Sequence, residues 1–368
     1  MKKICIVNLN VYGLFNNKSD APMGGAELDM YILANGLKDY YNVSVITGDW
    51  GQEKIKIVEG IKIFRSFKLN RDIINLIKAP FVLWKTLIKV NSDIYLSSSA
   101  GAEVGIISLY CLLYKKKYIY RTAHEVDCNK TYVNKNGLAG LLYKYGLLNA
   151  SKIVTSVKKH LNLLSHSYPA IPKNNITNIP LGINLNKSDI TTSNKNYILW
   201  IARGTKWKRP EIFLEMAKKI TTEKFVMIMP EQNTENELFE KIKLQANSID
   251  NLTFIGGVPF NSTQKYFNEA KLFINTSDNE GFTYTLIQSG IAKTPVAYLN
   301  VNPDNVITKH NIGEFGNGSV EDLIKDIEKL LNNTNLWKKK SEAIYKYVMA
   351  NHDMDKLVKK WRQLIDSL

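Results

Sequence analysis

The stretch Leu272-Phe273-Ile274-Asn275-Thr276-Ser277-Asp278-Asn279-Glu280-Gly281-Phe282-Thr283-Tyr284-Thr285-Leu286-Ile287-Gln288-Ser289-Gly290 changes character twice. A short apolar run ends at Asn275, a polar loop turns at Gly281, and a helical pattern begins near Tyr284. That is a strand, a turn and a helix. A helix N-terminus there presents unbonded N–H groups, from Thr283 through Tyr284 and Thr285 to Leu286, and the positive end of the helix dipole. Both suit a phosphate. Glu280 sits on the loop, where it can accept hydrogen bonds from ligand hydroxyls. Gln288 lies about one turn into the helix and can give or take them. Taken alone, the stretch is also a plain strand–turn–helix junction capped by Thr283.

Working outward, the same unit recurs. Tyr197-Ile198-Leu199-Trp200-Ile201-Ala202 reads as a buried strand that delivers Arg203 at its carboxyl end, and Lys208 or Arg209 precedes a helix opened by Pro210. Arg binds phosphate oxygens bidentately and Lys as a point charge. Cations gathered before a helix N-terminus oppose its dipole, an arrangement that calls for an anion. A solvated basic loop is the plainer reading. Further strands are expected at Phe225–Met229, Leu252–Ile255 and Val296–Tyr298. In the first half they are expected at Ile4–Leu9, Val43–Thr47, Ile94–Ser97, Tyr118–Arg121, Ile153–Thr155 and Ile176–Ile179. Alternation of such runs with helical periods is the signature of a parallel sheet. The expected fold is therefore α/β, two doubly wound domains facing each other across a cleft. Residues 1–183 would form the first domain and 184–350 the second. Residues 351–368 would form a further helix, its Leu357, Val358, Trp361, Leu364 and Ile365 at helical spacing.

Composition limits the function classes. The 368 residues are 45% hydrophobic and 23% charged, which excludes a disordered chain, a fibre or a coiled-coil rod. No apolar run approaches the ~20 residues of a spanning helix, and the N-terminus lacks a signal-peptide core. Three cysteines without Cys-x-x-Cys spacing suggest neither a disulfide framework nor a zinc site, so a cytoplasmic protein is expected. The net charge is +15 and uneven: residues 1–190 hold 25 Lys and Arg against 13 Asp and Glu. A negatively charged partner is implied, or a surface kept basic for solubility.

Two further motifs follow strands of the first half. Gly24-Gly25 lets backbone approach a ligand closely, and its spacing fits neither Gly-x-Gly-x-x-Gly nor the P-loop. His124 can serve as a hydrogen-bond partner, although a lone His is more often a surface or capping residue.

Together these segments resemble the retaining glycosyltransferases of family 4, which have the GT-B fold. The resemblance spans essentially the whole chain and is strongest over about residues 197–305. Its elements come in the family's order: Gly24-Gly25, His124, Ile179-Pro180-Leu181-Gly182-Ile183-Asn184, Arg203 with Lys208, and the Glu-x7-Glu region from Glu280. Two positions depart from the pattern. Gln288 stands where the family's second glutamate meets ribose hydroxyls, and Met229-Pro230-Glu231-Gln232 replaces a glycine-rich turn. The resemblance implies transfer of a sugar from a UDP-, GDP- or similar nucleotide sugar to a saccharide or lipid-linked acceptor. Such transfer retains configuration and uses neither cofactor nor metal. The resemblance also implies that the first domain is the acceptor side, that the second binds the donor, and that the helix at 351–368 crosses back to the first. It implies catalytic roles for Arg203, Lys208, Glu280 and His124. Donor binding would fall to Gly24, Gly25, Gly256, Val258, Gly281, Phe282, Thr283, Tyr284, Thr285, Leu286 and Gln288. On this reading an amide and a carboxylate are interchangeable at 288.

Another GT-B activity, such as sugar-nucleotide epimerisation or phosphorolysis, is the alternative among enzymes. A catalytically silent relative and a nucleic-acid-binding protein are further alternatives, the last without any recognition motif. Finally, Lys68–Val90 reads as an amphipathic helix. Arg71, Lys78, Lys85 and Lys89 lie on one side, Ile73, Ile77, Trp84, Leu87 and Ile88 on the other, and Pro80 is expected to kink or split it. The simpler expectation is that its apolar side packs on the sheet. The stronger one adds peripheral contact with an anionic membrane at its inner face.

Overall fold

A computed structural model describes residues 1–16, 21, 24–70, 72–184, 194–232 and 235–368. The chain divides into two compact units, Met1–Asn184 with Met354–Leu368, and Leu185–Asp353.

The first unit carries strands β1 (Lys3–Val7), β2 (Asn42–Thr47), β3 (Ile55–Val58), β4 (Ile61–Arg65), β5 (Ile94–Ser98), β6 (Lys117–Arg121), β7 (Lys152–Thr155) and β8 (Ile176–Asn178). Their order is β3-β4-β2-β1-β5-β6-β7-β8. All neighbours are parallel except β3 and β4. That pair is a hairpin absent from the expected strands. Its turn, Glu59-Gly60, holds both residues at positive φ, 50° and 82°, the backbone a two-residue hairpin needs. The flanks Ile55-Lys56-Ile57 and Ile61-Lys62-Ile63 alternate with period two, which suits an edge where one face meets water.

The second unit carries β9 (Tyr197–Ile201), β10 (Phe225–Ile228), β11 (Leu252–Ile255), β12 (Ala270–Asn275), β13 (Val296–Tyr298) and β14 (Gly313–Phe315). All are parallel, in the order β11-β10-β9-β12-β13-β14. β14, only three residues long, was also not expected. In each sheet the chain builds outward from its first strand, then returns to add strands on the other side. The reversal falls between β1 and β5, and between β9 and β12. Such switch points leave a crevice beyond the carboxyl ends of the strands, where ligands bind.

The central strands are buried on both faces because helices cover both. One core gathers Tyr95, Tyr110, Tyr118, Tyr120 and Tyr143 with Val104, Ile107 and Leu147. The other gathers Trp200, Phe213, Met216, Phe225 and Met227 with Leu323 and Ile327. The helix Met354–Asp366 belongs to the first unit, its Leu357, Val358, Trp361 and Ile365 buried. Trp361 lies 5.3 Å from the Arg121 guanidinium, which Asp29 neutralises at 2.5 Å. Tyr41 donates to Asp366 at 2.8 Å, and the Met354 N–H to the Ile183 carbonyl at 3.1 Å.

The helix Ile73–Val90 corrects two expectations. It runs unbroken through Pro80. The carbonyl that Pro80 leaves unbonded belongs to Leu76, which is exposed, so water can satisfy it. Its apolar side packs only in part: Leu87 is buried in the core and Trp84 packs against it, while Ile73, Ile77 and Ile88 are exposed. Arg71 lies outside the described residues.

Candidate active site

In the second unit, β9 and β12 are neighbours, so their following loops share the switch-point crevice. Hydrogen bonds lace the two loops together. The Asp278 N–H donates to the Trp207 carbonyl at 2.9 Å, and the Thr276 hydroxyl to the Lys208 carbonyl at 2.7 Å. The Trp200 indole N–H, buried under β9, donates to Thr276 Oγ1 at 3.0 Å. Arg209 reaches Asp278 at 3.1 Å across the same gap.

This lacing brings Lys208 against Glu280 in an ion pair, with the Ser277 hydroxyl donating to the same Glu280 Oε1 at 2.9 Å. Glu280 Oε2 has no protein partner among the described residues. The Lys208 ammonium lies 4.1 Å from the Trp207 ring centroid. Burial lowers its pKa, and the nearby Arg203 charge lowers it further, while Glu280 acts in the opposite sense. Arg203 itself is exposed, and its guanidinium has no carboxylate or hydrogen-bond partner among the described residues. A cation left unpaired beside a desolvated ion pair is a place prepared for an anion.

Thr283 caps the helix Tyr284–Ile291 as expected, its hydroxyl accepting from the Leu286 N–H at 3.3 Å and lying 2.8 Å from the Tyr298 hydroxyl. The cap commits the Leu286 N–H, so Leu286 does not serve as an anion donor and belongs to the core instead. Tyr284 is likewise buried. Gly281 turns the loop ahead of Phe282, whose ring stacks on His352 at 4.5 Å. Gly256 and Val258 follow β11; a side chain at Gly256 would meet nothing within 4 Å.

Gln288 is 5% exposed and donates from Nε2 to Thr263 Oγ1 at 2.7 Å. The Thr263 hydroxyl donates in turn to the Phe260 carbonyl at 2.7 Å. Its proton is committed, so Oγ1 offers only lone pairs to position 288. A glutamate there would face acceptor with acceptor. Amide and carboxylate are not interchangeable at this position, contrary to the sequence reading. Thr263 lies 25 residues away, and no sequence signal linked the two.

Gly24, Gly25 and His124 stand in the first unit. Gly24 caps the helix Gly25–Leu37, and a side chain at Gly25 would meet nothing within 4 Å. His124 is a cap: its Nδ1 accepts from the Val126 N–H at 3.4 Å. That bond assigns the proton of the neutral ring to Nε2, making Nε2 a donor. The Asp127 carboxylate holds the loop by accepting from the Ala123 and His124 N–H groups at 2.7 and 3.0 Å. Burial raises the pKa of Asp127.

Among the described residues no group of three His, Cys, Asp or Glu could hold a metal ion. The Asp-x-Asp sequence at Asp353 and Asp355 opens the last helix and does not follow a strand. A cavity of ≈ 660 Å³ is lined by Lys206, Trp207, Arg209, Leu238, Lys241 and Asp278, among others. None of Arg203, Lys208 and Glu280 lines it.

Residues 184–364 match the glycosyl transferases group 1. That segment holds both laced loops. The chain has the GT-B fold of the glycosyltransferases. Sucrose-phosphate synthase from Thermosynechococcus elongatus superposes with a TM-score of 0.80 at 14% identity, over 100% of this chain and 99% of that one. HepE of Anabaena, solved with UDP-glucose, gives 0.77 at 12% identity over 100% of both chains. A glycosyltransferase of Rickettsia africae gives 0.74 at 18% identity over 99% of this chain and 97% of that one. No curated protein sequence matches the chain.

Proposed function

We propose that the protein is a retaining, metal-independent glycosyltransferase that moves a sugar from a nucleotide-diphosphate sugar to an acceptor hydroxyl. The acceptor would be a saccharide or a lipid-linked saccharide. The observation that carries this reading is the unpaired Arg203 beside Lys208 at the switch point between β9 and β12. As the bond from the anomeric carbon to the β-phosphate breaks, negative charge grows on the phosphate oxygens. Arg203, Lys208 and the Thr285 N–H at the start of its helix stabilise that charge without reorganising. Glu280 fixes Lys208 through Oε1 and offers Oε2 to a sugar hydroxyl. Gln288 meets the ribose through Oε1, the atom Thr263 does not hold. His124 donates from Nε2 to a sugar hydroxyl, and the backbone at Gly24-Gly25 lets the acceptor or sugar come close. Gly256 and Val258 flank the base. The acceptor hydroxyl forms the new bond on the face the phosphate vacates, and its proton passes to the departing phosphate.

A screen of sugar nucleotides in EDTA, with the anomeric proton coupling of the product read by NMR, tests this. The expected product keeps the donor's anomeric configuration. Inversion, or turnover that returns only with a divalent ion, overturns the reading.

A further inference from the structure

The helix Ile73–Val90 leaves an unusual surface. Ile73, Ile77 and Phe81 are 72%, 63% and 68% exposed, and Ile74, Leu76 and Ile88 are exposed as well. At about 100° per residue, Ile73, Ile77, Ile88, Phe81 and Ile74 share one arc of about 100°, with Leu76 on its near side. Lys85, Lys78 and Lys89 occupy the next ~40° beyond it. Counted from Ile73 on the same scale, Leu83, Leu76 and Leu87 fall beside that arc, at about 280–320°, so the apolar surface is one broad band. Leu83 and Leu87 on it are buried, whereas Ile73, Ile77 and Phe81, nearer the helix N-terminus, stand in solvent, which is more apolar surface than covering the sheet requires.

The exposed part of the band continues onto the neighbouring helix Ala102–Leu113. Trp84 lies edge-on to Tyr110 and Tyr114, at 5.5 and 6.2 Å. Tyr114 is exposed, and Leu112 and Leu113 beside it are 60% and 62% exposed. Contiguous apolar surface of this kind marks an interaction site in a protein that meets a partner there.

Charge decides the partner. Residues 73–92 and 104–120 contain six lysines, Lys78, Lys85, Lys89, Lys115, Lys116 and Lys117, and not one Asp or Glu. A second copy of the chain laid on this face would bring lysines against lysines. An acidic lipid surface gains from both features, since apolar side chains enter the acyl boundary while lysines reach headgroup phosphates. No described helix is long and apolar enough to cross a membrane, so contact through this face is lateral. We infer that the outer face of Ile73–Val90, continued by Leu112–Tyr114, seats the first unit on an anionic lipid bilayer. This rests on exposure and charge, independently of the reaction proposed above.

Flotation of the full chain with vesicles tests it, with no sugar nucleotide present. One set is phosphatidylcholine alone and the other contains equal phosphatidylglycerol. At low salt the protein floats with the anionic vesicles and about tenfold less with the neutral ones. Ile77→Glu with Phe81→Glu abolishes binding to both. Lys78→Glu with Lys85→Glu and Lys89→Glu removes the preference for anionic lipid. These side chains are in solvent, so melting temperatures stay unchanged and report intact folding. Failure of the unaltered protein to float overturns the inference, as does flotation that survives Ile77→Glu with Phe81→Glu. A dimer in sedimentation equilibrium that this pair of substitutions dissociates, with no vesicle binding, assigns the face to a second copy instead.

Discussion

Lys208 and Glu280 form an ion pair with side chains only 12% and 9% exposed, although 72 residues separate them in sequence. Two charges so far from water hold each other in place, and removal of either strands the other. Lys208→Met should therefore cost stability as well as turnover, about 3–5 kcal/mol by the usual consequence of breaking a buried pair. Lys208→Met with Glu280→Leu should recover much of that stability while staying inactive. Thermal melts and initial rates measured on the same samples check both.

Arg203 should behave differently. It is exposed and has no side-chain partner among the described residues, so Arg203→Ala is expected to leave the melting temperature unchanged. Turnover should fall by ~10²–10³, the usual loss of one preorganised donor. A normal rate in this variant would remove the phosphate-binding role.

Gln288→Glu should destabilise the second unit, because Thr263 cannot donate to a carboxylate without giving up the Phe260 carbonyl. The expected loss is about 1–3 kcal/mol. Thr263→Ala in the same background should restore part of it, since the opposed lone pairs are then gone. A double-mutant cycle by chemical denaturation reads the coupling directly.

Lys195 gives a pH signature. It donates to the Ala292 carbonyl and Thr294 Oγ1 at 2.8 and 2.7 Å with no carboxylate, and burial lowers its pKa to about 8. The unfolded chain keeps this proton up to the ordinary lysine range near 10.4. Between those values the unfolded state binds more protons, so this residue's penalty on the folded state fades as pH rises from about 8. Relative to Lys195→Met, the unaltered protein should gain stability from pH 7 to pH 10 in differential melts.

Gly25→Ala should fold normally, or slightly better for its helix propensity, since nothing lies within 4 Å of the new methyl. A fall in turnover at an unchanged melting temperature would place substrate against that backbone.

Much of this was legible from local pattern. Apolar runs such as Ile4–Val7 and Phe225–Ile228 are buried on both faces, so their strands announce themselves without context. The hairpin at Glu59-Gly60 is equally legible in the period-two alternation around it. Arg203, Lys208, Glu280 and Thr283 could each be singled out because they follow strands. Their contacts could not be foreseen, because those depend on β9 lying beside β12, which no short window encodes. Helical period likewise told which side chains of Ile73–Val90 share a face, but not whether that face would be covered.

The hydrogen bond between the Met354 N–H and the Ile183 carbonyl brings together two points separated by the whole second unit. The second unit is thus an insertion whose entry and exit meet at one peptide-scale joint. During synthesis its 185–353 segment can close on itself as soon as it emerges. The first unit, begun earlier, must wait for residues 354–368 before Trp361 can pack against Arg121. The same joint offers a cut: linking Ile183 directly to Met354 should yield a small, continuous domain that folds without its guest.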